Sequence, residues 1–452
     1  MTSTVHGDGA RGGASTDWSE RAKAIYVFAN EKGGMQGIDQ EAIHRIILET
    51  SGNSAYTAKQ LRSDAKVDES VARLRRQLDA CGEAQRAAAR DLVATRSAAI
   101  EEQRRPERVC VVIDFDMFYA AVEIRDRPEL AACPVAVGGP GMISTANYVA
   151  RRWGVRSAMP GFVGQALCRR GPEFGMPRAE LVFVKPDFAK YTAVAEVARN
   201  IWREYDPHMR AASLDEAYLD LTHYLRRRLR WGGDHARARR DGGGEPDGDG
   251  EAGEDVAPPP ASEVHALAAE VVAELRARVE EATRGLTTSA GYGSNWLVAK
   301  IASDARKPNG QYSPGPARQA VLDFLGPLPV RKLPGVGRVM EKMLGAALGI
   351  RTCAQLLAAS AEVALVFTAG TSTSLLRKAL GCTDEEEEAE GADAPAAPQK
   401  GISCERTFRA TADADEQRRT LAYLCDTLAE HMAAKGLRGR KVALMTMRAC
   451  VA

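Results

Sequence analysis

The spacing of apolar residues along the chain changes at a few sharp points. Val109 to Ile113 (VCVVI) places five apolar residues in a row, with β-branched Val and Ile filling 111 to 113, and reads as a buried strand. It ends abruptly in Asp114-Phe115-Asp116. Met117 to Glu123 then has helix-compatible spacing, which puts Phe118 and Tyr119 at a strand-to-helix corner. Pro134 to Gly139 (PVAVGG) reads as a short strand ending in a glycine turn, Leu181 to Lys185 as another strand, and Asp187 to Tyr205 as an amphipathic helix. Ser213 to Leu221 (SLDEAYLDL) is a second strand with adjacent acids. Leu286 to Tyr292 turns through Gly293 into a helix that starts near Ser294 or Asn295 and stops before Pro308. The order of strand, helix, strands, helix and strand predicts an α+β protein with a split βαβ sheet of the ferredoxin-like kind, both acid motifs on its central strands.

The flanks have other patterns. Residues 1–20 are small and polar and are expected to be disordered. Ile43, Ile46, Ile47 and Leu48 have the spacing of an amphipathic helix, with Asp39 ahead of it as N-cap. An Ala- and Arg-rich helical run from about Asp68 to Gln103 has a thin apolar face, so it should lie across another surface. Residues 226–260 open with RRRLR, become rich in Gly, Asp and Glu, and close on Pro258-Pro259-Pro260, the mark of a disordered insertion. Helix resumes at Glu263 to Thr283. Leu333 to Leu344 (LPGVGRVMEKML) carries a Gly-Val-Gly turn, and Glu385 to Pro398 is an acidic, Ala- and Pro-rich linker. Beyond it, Gly401 to Ala410 reads as a strand, Glu416 to Ala434 as a helix and Lys441 to Arg448 as a strand.

Composition adjusts this picture only slightly. At 452 residues, the chain has room for two to four domains, and 45% hydrophobic with 27% charged residues is ordinary for a soluble globular protein. A net charge of +1 gives no global pull towards nucleic acid, although from Gly401 onward nine Lys or Arg face six Asp or Glu. The nine cysteines are dispersed without a CxxC pair, which points to reduced thiols inside a cell and to no zinc site. No run of about 18 apolar residues suggests a membrane span.

Candidate chemistry follows from the acids. If the two acid-bearing strands are neighbours, Asp114, Asp215 and Glu216 can converge on one or two Mg2+ ions, although an Asp at a strand end also serves as a turn former or helix cap. Tyr148 and Arg151 are three apart, hence on one helical face, and an Arg beside a phenol suits a triphosphate; a surface helix followed by a turn is the plain alternative. Ser157 and Ala158 would leave room for something flat. Lys300 and Lys307 are seven apart and on one face, with Lys307 at the helix exit as a mobile cation or as a partner of the helix dipole. Gly335 and Gly337 would let backbone amides approach a phosphate, as in a helix-hairpin-helix.

Five stretches in this order, IDFDMFYAAVEIRDRPEL, STANYVARRWGVRSAMPGF, SLDEAYLDL, SDARKPNGQY and LPGVGRVMEKML, resemble Y-family DNA polymerases of the kappa (DinB) subfamily over residues 105 to 450. The stretch from Gly37 to Leu74 also resembles the N-clasp of eukaryotic kappa enzymes. The resemblance implies a right-hand architecture: N-clasp 21–104, palm and fingers 105–225, remaining palm 261–312, and thumb with helix-hairpin-helix 313–383. A linker at 384–400 and a little finger at 401–452 would follow, the latter carrying only part of the family's four strands and two helices. It implies Asp114, Asp215 and Glu216 as ligands of two Mg2+ ions, with Mn2+ as an alternative, and Phe115 lending a backbone carbonyl. Tyr119 falls on the steric gate against ribose. Thr145, Tyr148, Arg151 and Lys307 match positions that bind the incoming triphosphate, and Gly335 and Gly337 match contacts to DNA backbone; Asp116 matches an acid not counted among the ligands. The implied partners are primer-template DNA, deoxynucleoside triphosphates, a sliding clamp and other translesion polymerases, for a monomeric nuclear protein. A non-catalytic DNA-binding remnant and a nucleotide cyclase built on a similar sheet are the competing readings.

Overall fold

The computed structural model describes residues 35, 37–229, 259–383, 401–408 and 411–446. The expectations for residues 1–20, for the acidic linker and for most of the insertion fall outside these. Two compact units result, Met1–Ala392 and Asp393–Ala452.

The first unit begins with helices α1 (Gln40–Ser51), α2 (Ala55–Asp79) and α3 (Glu83–Glu102). Asp39 caps α1 as expected, accepting from the Glu41 and Ala42 amides at 3.0 and 3.1 Å. The long helical run of the sequence is in fact two helices, because the chain turns at Ala80–Gly82 and Gly82 becomes the N-cap of α3. Strand β1 (Cys110–Phe115) and helix α4 (Phe118–Asp126) follow, then β2 (Val135–Gly138), β3 (Ile143–Ala146), α5 (Tyr148–Arg151), α6 (Gly161–Arg169), β4 (Val182–Val184) and α7 (Phe188–Tyr205). Next come β5 (Arg210–Ala211), β6 (Glu216–Asp220) and α8 over 222–229. Residues 226–229, expected to be part of the disordered insertion, are therefore helical; they extend a helix whose Leu225 is buried in the core.

After the insertion the chain forms α9 (Ala261–Ala282), β7 (Thr288–Gly293), α10 (Trp296–Ala302) and β8 (Gln311–Tyr312). A helical cluster closes the unit: α11 (Arg318–Leu325), α12 (Arg338–Leu348), α13 (Cys353–Ala358), α14 (Ser360–Val366) and α15 (Ala369–Ala379).

The strands divide into two sheets where one was expected. The five-stranded sheet has the order β5-β6-β1-β7-β8, with β6 and β7 both antiparallel to β1, while β3-β2-β4 form a separate sheet. Alternation along β1 explains what covers each face. Val111, Ile113 and Phe115 join a core with Tyr191, Ala195 and Trp202 of α7 and Val264, Val271 and Leu275 of α9. Cys110 and Val112 point the other way, against Trp296 and Ala299 of α10. Asp114 continues that second face.

The smaller sheet has its own core, and α1 is part of it: Ile43, Ile46, Ile47 and Leu48 pack with Ile143, Trp153, Val163 and Leu167. Helices α2 and α3 rest instead on the helical cluster. Ile100 packs with Leu376, Leu380 and Cys382, the Gln77 amide donates to the Leu365 carbonyl at 2.9 Å, and Arg338 donates to Asp64 at 2.6 Å and to Gln60 at 2.9 Å. The thin apolar face of the N-terminal run is thus spread across a surface, as its pattern implies. Asp64 and Arg338 expose only 11% and 15% of their side chains, whereas Asp68, which meets Lys342 at 2.7 Å, exposes 63%. Asp64→Ala should therefore destabilise the unit by about 1–2 kcal/mol and Asp68→Ala by under about 0.5 kcal/mol in denaturant titrations, since only the former takes the carboxylate from a largely desolvated guanidinium, leaving it the neutral Gln60 contact.

In the second unit, helix α16 (Ala414–Ala434) forms with Asp413 as its cap. Neither predicted strand does: 401–408 and 441–446 have no ladder partner among the described residues. Residues 401–408 lie along the helix instead, with the Cys404 thiol donating to the Leu424 carbonyl and Arg406 over the Tyr423 ring. Alternating apolar residues favour extended backbone, but a strand exists only where a second one pairs with it.

Candidate active site

The antiparallel register of β1 and β6 sets Asp114 directly opposite Glu216. One residue earlier, the Asp215 carbonyl accepts from the Phe115 amide at 2.9 Å, so the backbone at Phe115 is tied to the bend that carries Asp215. All three predicted acids therefore sit at one end of two paired strands. The left-handed conformation of Met117, φ 45°, turns the chain from β1 into α4 and brings Tyr119 to the same corner. There Tyr119 stacks on Tyr191, ring centroids 4.5 Å apart, and meets Phe188 edge-on at 5.8 Å.

Two ammonium groups sit on the acids. Lys307 Nζ pairs with Asp114 Oδ1, and Lys300 Nζ with Glu216 Oε2 at 2.5 Å, while the Asp215 carboxylate accepts from the Ser213 hydroxyl at 2.6 Å. Burial pushes the Asp114 carboxyl up to about 6, against the opposing pull of Lys307. Burial would lower the Lys307 ammonium, but Asp114 and Asp304 outweigh it and hold that group well above its ordinary range. Among the described residues, no three His, Cys, Asp or Glu side chains are drawn together into a finished metal cage. The donor set nevertheless suits a hard cation: it is all oxygen, and the ammoniums occupy Asp114 and Glu216 as stand-ins for one.

The residues expected around a triphosphate lie on the neighbouring sheet and loop. Thr145 is on β3, half-buried and paired with Val137. Tyr148 and Arg151 share the single turn of α5, the guanidinium lying over the phenol ring at 4.5 Å. Burial, then the nearby Asp116, pushes the Tyr148 phenol up to about 12, so it keeps its proton. Ser157 is half-buried and Ala158 exposed with φ 65°. Lys307 is not on the face of α10, as its spacing from Lys300 suggested. The helix ends at Ala302, and Lys307 reaches Asp114 from the following loop.

Gly335 and Gly337 lie in the helical cluster, in the turn ahead of α12. Gly335 has φ 83°, which only glycine adopts without strain, and Gly337 is the N-cap with no side-chain bond to the first amides of the helix. The Arg331 guanidinium clamps this turn by donating to the Val336 carbonyl at 2.9 Å.

Sequence spacing did not assign roles to Lys300, Ser213, Tyr191 or Phe188. The Phe and Tyr directly after the Asp187 cap, three apart and hence on one helix face, were the available sign that α7 presents aromatic rings.

Comparison with known proteins agrees on one family. The profile described as the impB/mucB/samB family matches residues 113–304, that of the IMS family HHH motif 318–350, and that of the family's C-terminal domain 399–449. DNA polymerase kappa of Homo sapiens is 36% identical over 454 residues, covering 92% of this chain and 50% of that protein. The Caenorhabditis elegans DNA polymerase kappa is 34% identical over 443 residues, covering 94% and 71%. The crystal structure of DinB from Sulfolobus solfataricus superposes with a TM-score of 0.44 at 24% identity, over 60% of this chain and 67% of that one. The chain spans about half the length of the mammalian relatives it matches.

Proposed function

Because the chain belongs to the impB/mucB/samB family, the Y-family polymerases, and within it to the kappa and DinB branch, we propose that it is a template-directed DNA polymerase working in low-fidelity translesion synthesis and repair. The reaction is nucleotidyl transfer to a primer 3′-hydroxyl. The observation that carries this reading is the β1–β6 register, which sets Asp114 against Glu216 with Asp215 one residue away. In this reading the five-stranded sheet is the palm, β2 to β4 with α5 and α6 the fingers, and 313–383 the thumb.

Asp114, Asp215, Glu216 and the Phe115 carbonyl would hold two divalent cations, Mg2+ or Mn2+. Bound there, the cations would activate the primer oxygen and neutralise charge on the triphosphate. The chain's own residues bind and orient. Arg151 and the Lys307 ammonium supply positive charge to the phosphates, the Tyr148 hydroxyl and Thr145 supply hydrogen bonds, and Gly335 and Gly337 offer amides to the DNA backbone. Small side chains at Ser157 and Ala158 leave the nascent pair loosely covered, which suits damaged templates. By family resemblance, the protein works in the nucleus as a monomer beside a sliding clamp. No helix among the described residues is long and apolar enough to cross a membrane.

Primer extension by residues 1–452 on an undamaged template, with Mg2+ and four deoxynucleotides, tests the reading. Template-directed products are expected; DNA retained on a filter without extension would instead favour a non-catalytic DNA-binding protein. Tyr119 carries a second expectation. Its ring packs in a cluster with Tyr191 and Phe188, contacts that swinging aside for a 2′-hydroxyl would give up. Tyr119→Ala should raise ribonucleotide incorporation by about a hundredfold or more, equivalent to the steric and packing cost of a few kcal/mol. Competing ribo- and deoxynucleotide kinetics read it, and unchanged sugar discrimination would remove the role.

A further inference from the structure

Asp116, two residues past the first metal-ligand candidate, is 3% exposed, yet nothing in the proposed chemistry uses it. A buried carboxylate needs several donors to be tolerated, and here they come from three separate parts of the chain. The Thr287 hydroxyl and the Asn309 amide donate to Oδ2 at 2.8 and 2.7 Å. The Ser289 hydroxyl donates to Oδ1 at 2.8 Å, and the Tyr148 hydroxyl donates to the same oxygen at 3.3 Å. Three of the bonds are short and come from β7, its approach and the loop after α10; the fourth is long and comes from α5. Asp116 itself is fixed at the end of β1, its amide donating to the Thr287 carbonyl at 3.0 Å.

The loop it grips is the one that presents Lys307. Besides the Asn309 amide, that loop is held by Arg276, which donates to the Asn309 side chain and to the Thr288 carbonyl, and by the Ala290 amide donating to the Gly310 carbonyl at 3.0 Å. Asp116 therefore ties this well-braced loop to the phenol of Tyr148 across the gap between the two sheets. The long contact matters: a phenol held at 3.3 Å is oriented but readily released to a phosphate oxygen.

We propose that Asp116 is a positioning residue of the nucleotide site, aiming the Tyr148 hydroxyl and the Lys307 loop at the triphosphate without contacting it. This rests on the polymerase reading above and deepens it. The test is steady-state extension with a single correct deoxynucleotide for Asp116→Ala, Asp116→Asn, Tyr148→Phe and the Asp116→Asn/Tyr148→Phe pair, with a thermal scan of each. Asn is informative because the Asn309 amide can only donate. The carboxamide oxygen must then stay on that side, and its NH2 faces Ser289 and Tyr148, so the substitution chiefly removes the acceptor of the phenolic proton. Expected are a KM raised about tenfold by Ala and about threefold by Asn, with kcat within about twofold. In the Tyr148→Phe background, Asn should add nothing.

An unchanged or lowered KM in Asp116→Asn, or effects of Asn and Phe that multiply, would overturn the proposal. So would a loss confined to kcat and melting temperature. If the Ala variant does not fold, the Asn and Phe cycle decides alone. Extension by the unmodified chain with an unmoved variant KM defeats only this inference; absence of both extension and binding of a fluorescent deoxynucleotide by the unmodified chain defeats the polymerase reading, and the inference with it.

Discussion

Asp215→Ala and Glu216→Ala are each expected to lower Mg2+-dependent primer extension by at least about a thousandfold, with DNA binding staying within about twofold. The fold should tolerate both changes. The Asp215 carbonyl, not its carboxylate, takes the Phe115 amide, and its side chain accepts from the exposed Ser213 hydroxyl. Glu216 pairs with Asp114 through backbone, and its side chain meets Lys300, a third of which is exposed and which can turn to water. What each substitution removes is a negative oxygen at the end of β6, opposite Asp114. Gel extension assays beside filter binding read the two quantities separately. Extension retained in both variants would remove the assignment of these acids, whereas loss of binding together with extension would place the defect in folding or DNA grip.

Gly291→Ala unfolds the larger unit or leaves it destabilised by about 3 kcal/mol or more. Gly291 is buried in β7, between β1 and β8, with α10 lying across it. A Cβ there would stand 2.1 Å from the Ala299 carbonyl oxygen, 2.1 Å from the Ser303 nitrogen and 2.6 Å from the Ala302 carbonyl carbon. These are backbone atoms of the helix and its end, so no side chain can yield; α10 itself must lift. That helix carries Lys300 and leads into the loop of Lys307, so any protein that still folds should also lose nucleotide affinity. Gly370→Ala, at an exposed position in the first turn of α15 with nothing near its added Cβ, is the control and should stabilise by up to about 0.5 kcal/mol. Soluble yield and thermal unfolding distinguish the two, and a Gly291→Ala protein as stable as the parent would show that α10 is not pressed on β7.

Much of this arrangement was legible because burial and capping are local signals. The run Val109–Ile113 had to be a strand buried on both faces, and it is, between α7 and α9 on one side and α10 on the other. Asp39, Asp187 and Asn295 stand as caps where the sequence suggests helix starts. The division into two sheets was not legible, because strand pairing is non-local: β1 finds β7 only after the whole β2–β4 lobe and the insertion have intervened. The same limit accounts for 401–408 and 441–446, whose alternation says extended but cannot name a partner. The break at Ala80–Gly82 was hidden by an Ala-rich run, with Gly82 as its lone signal.

At the site, the sequence made the meeting of the three acids conditional on the two strands being neighbours, and the β1–β6 register makes them so, with Asp114 opposite Glu216. The ammonium on Asp114 had no such sign in the sequence, since Lys307 reaches it from a loop whose course depends on Asp116, Arg276 and Gly310 rather than on helical periodicity. Asp116 itself looked like one more acid at a strand end. Only its donors, from Tyr148 to Asn309, distinguish it.

Helices α2 and α3 are made well before the residues they rest on: Arg75 donates to the Ala346 carbonyl 271 positions downstream, and Gln77 to Leu365 at 288. At roughly 5–20 residues per second, translation leaves their apolar stripe without its seat for on the order of tens of seconds. Of the described helices ahead of β1, α1 finds its seat on residues 143–167 and these two wait longest for theirs. Until then their apolar stripe is exposed surface, the condition that chaperones exist to shield.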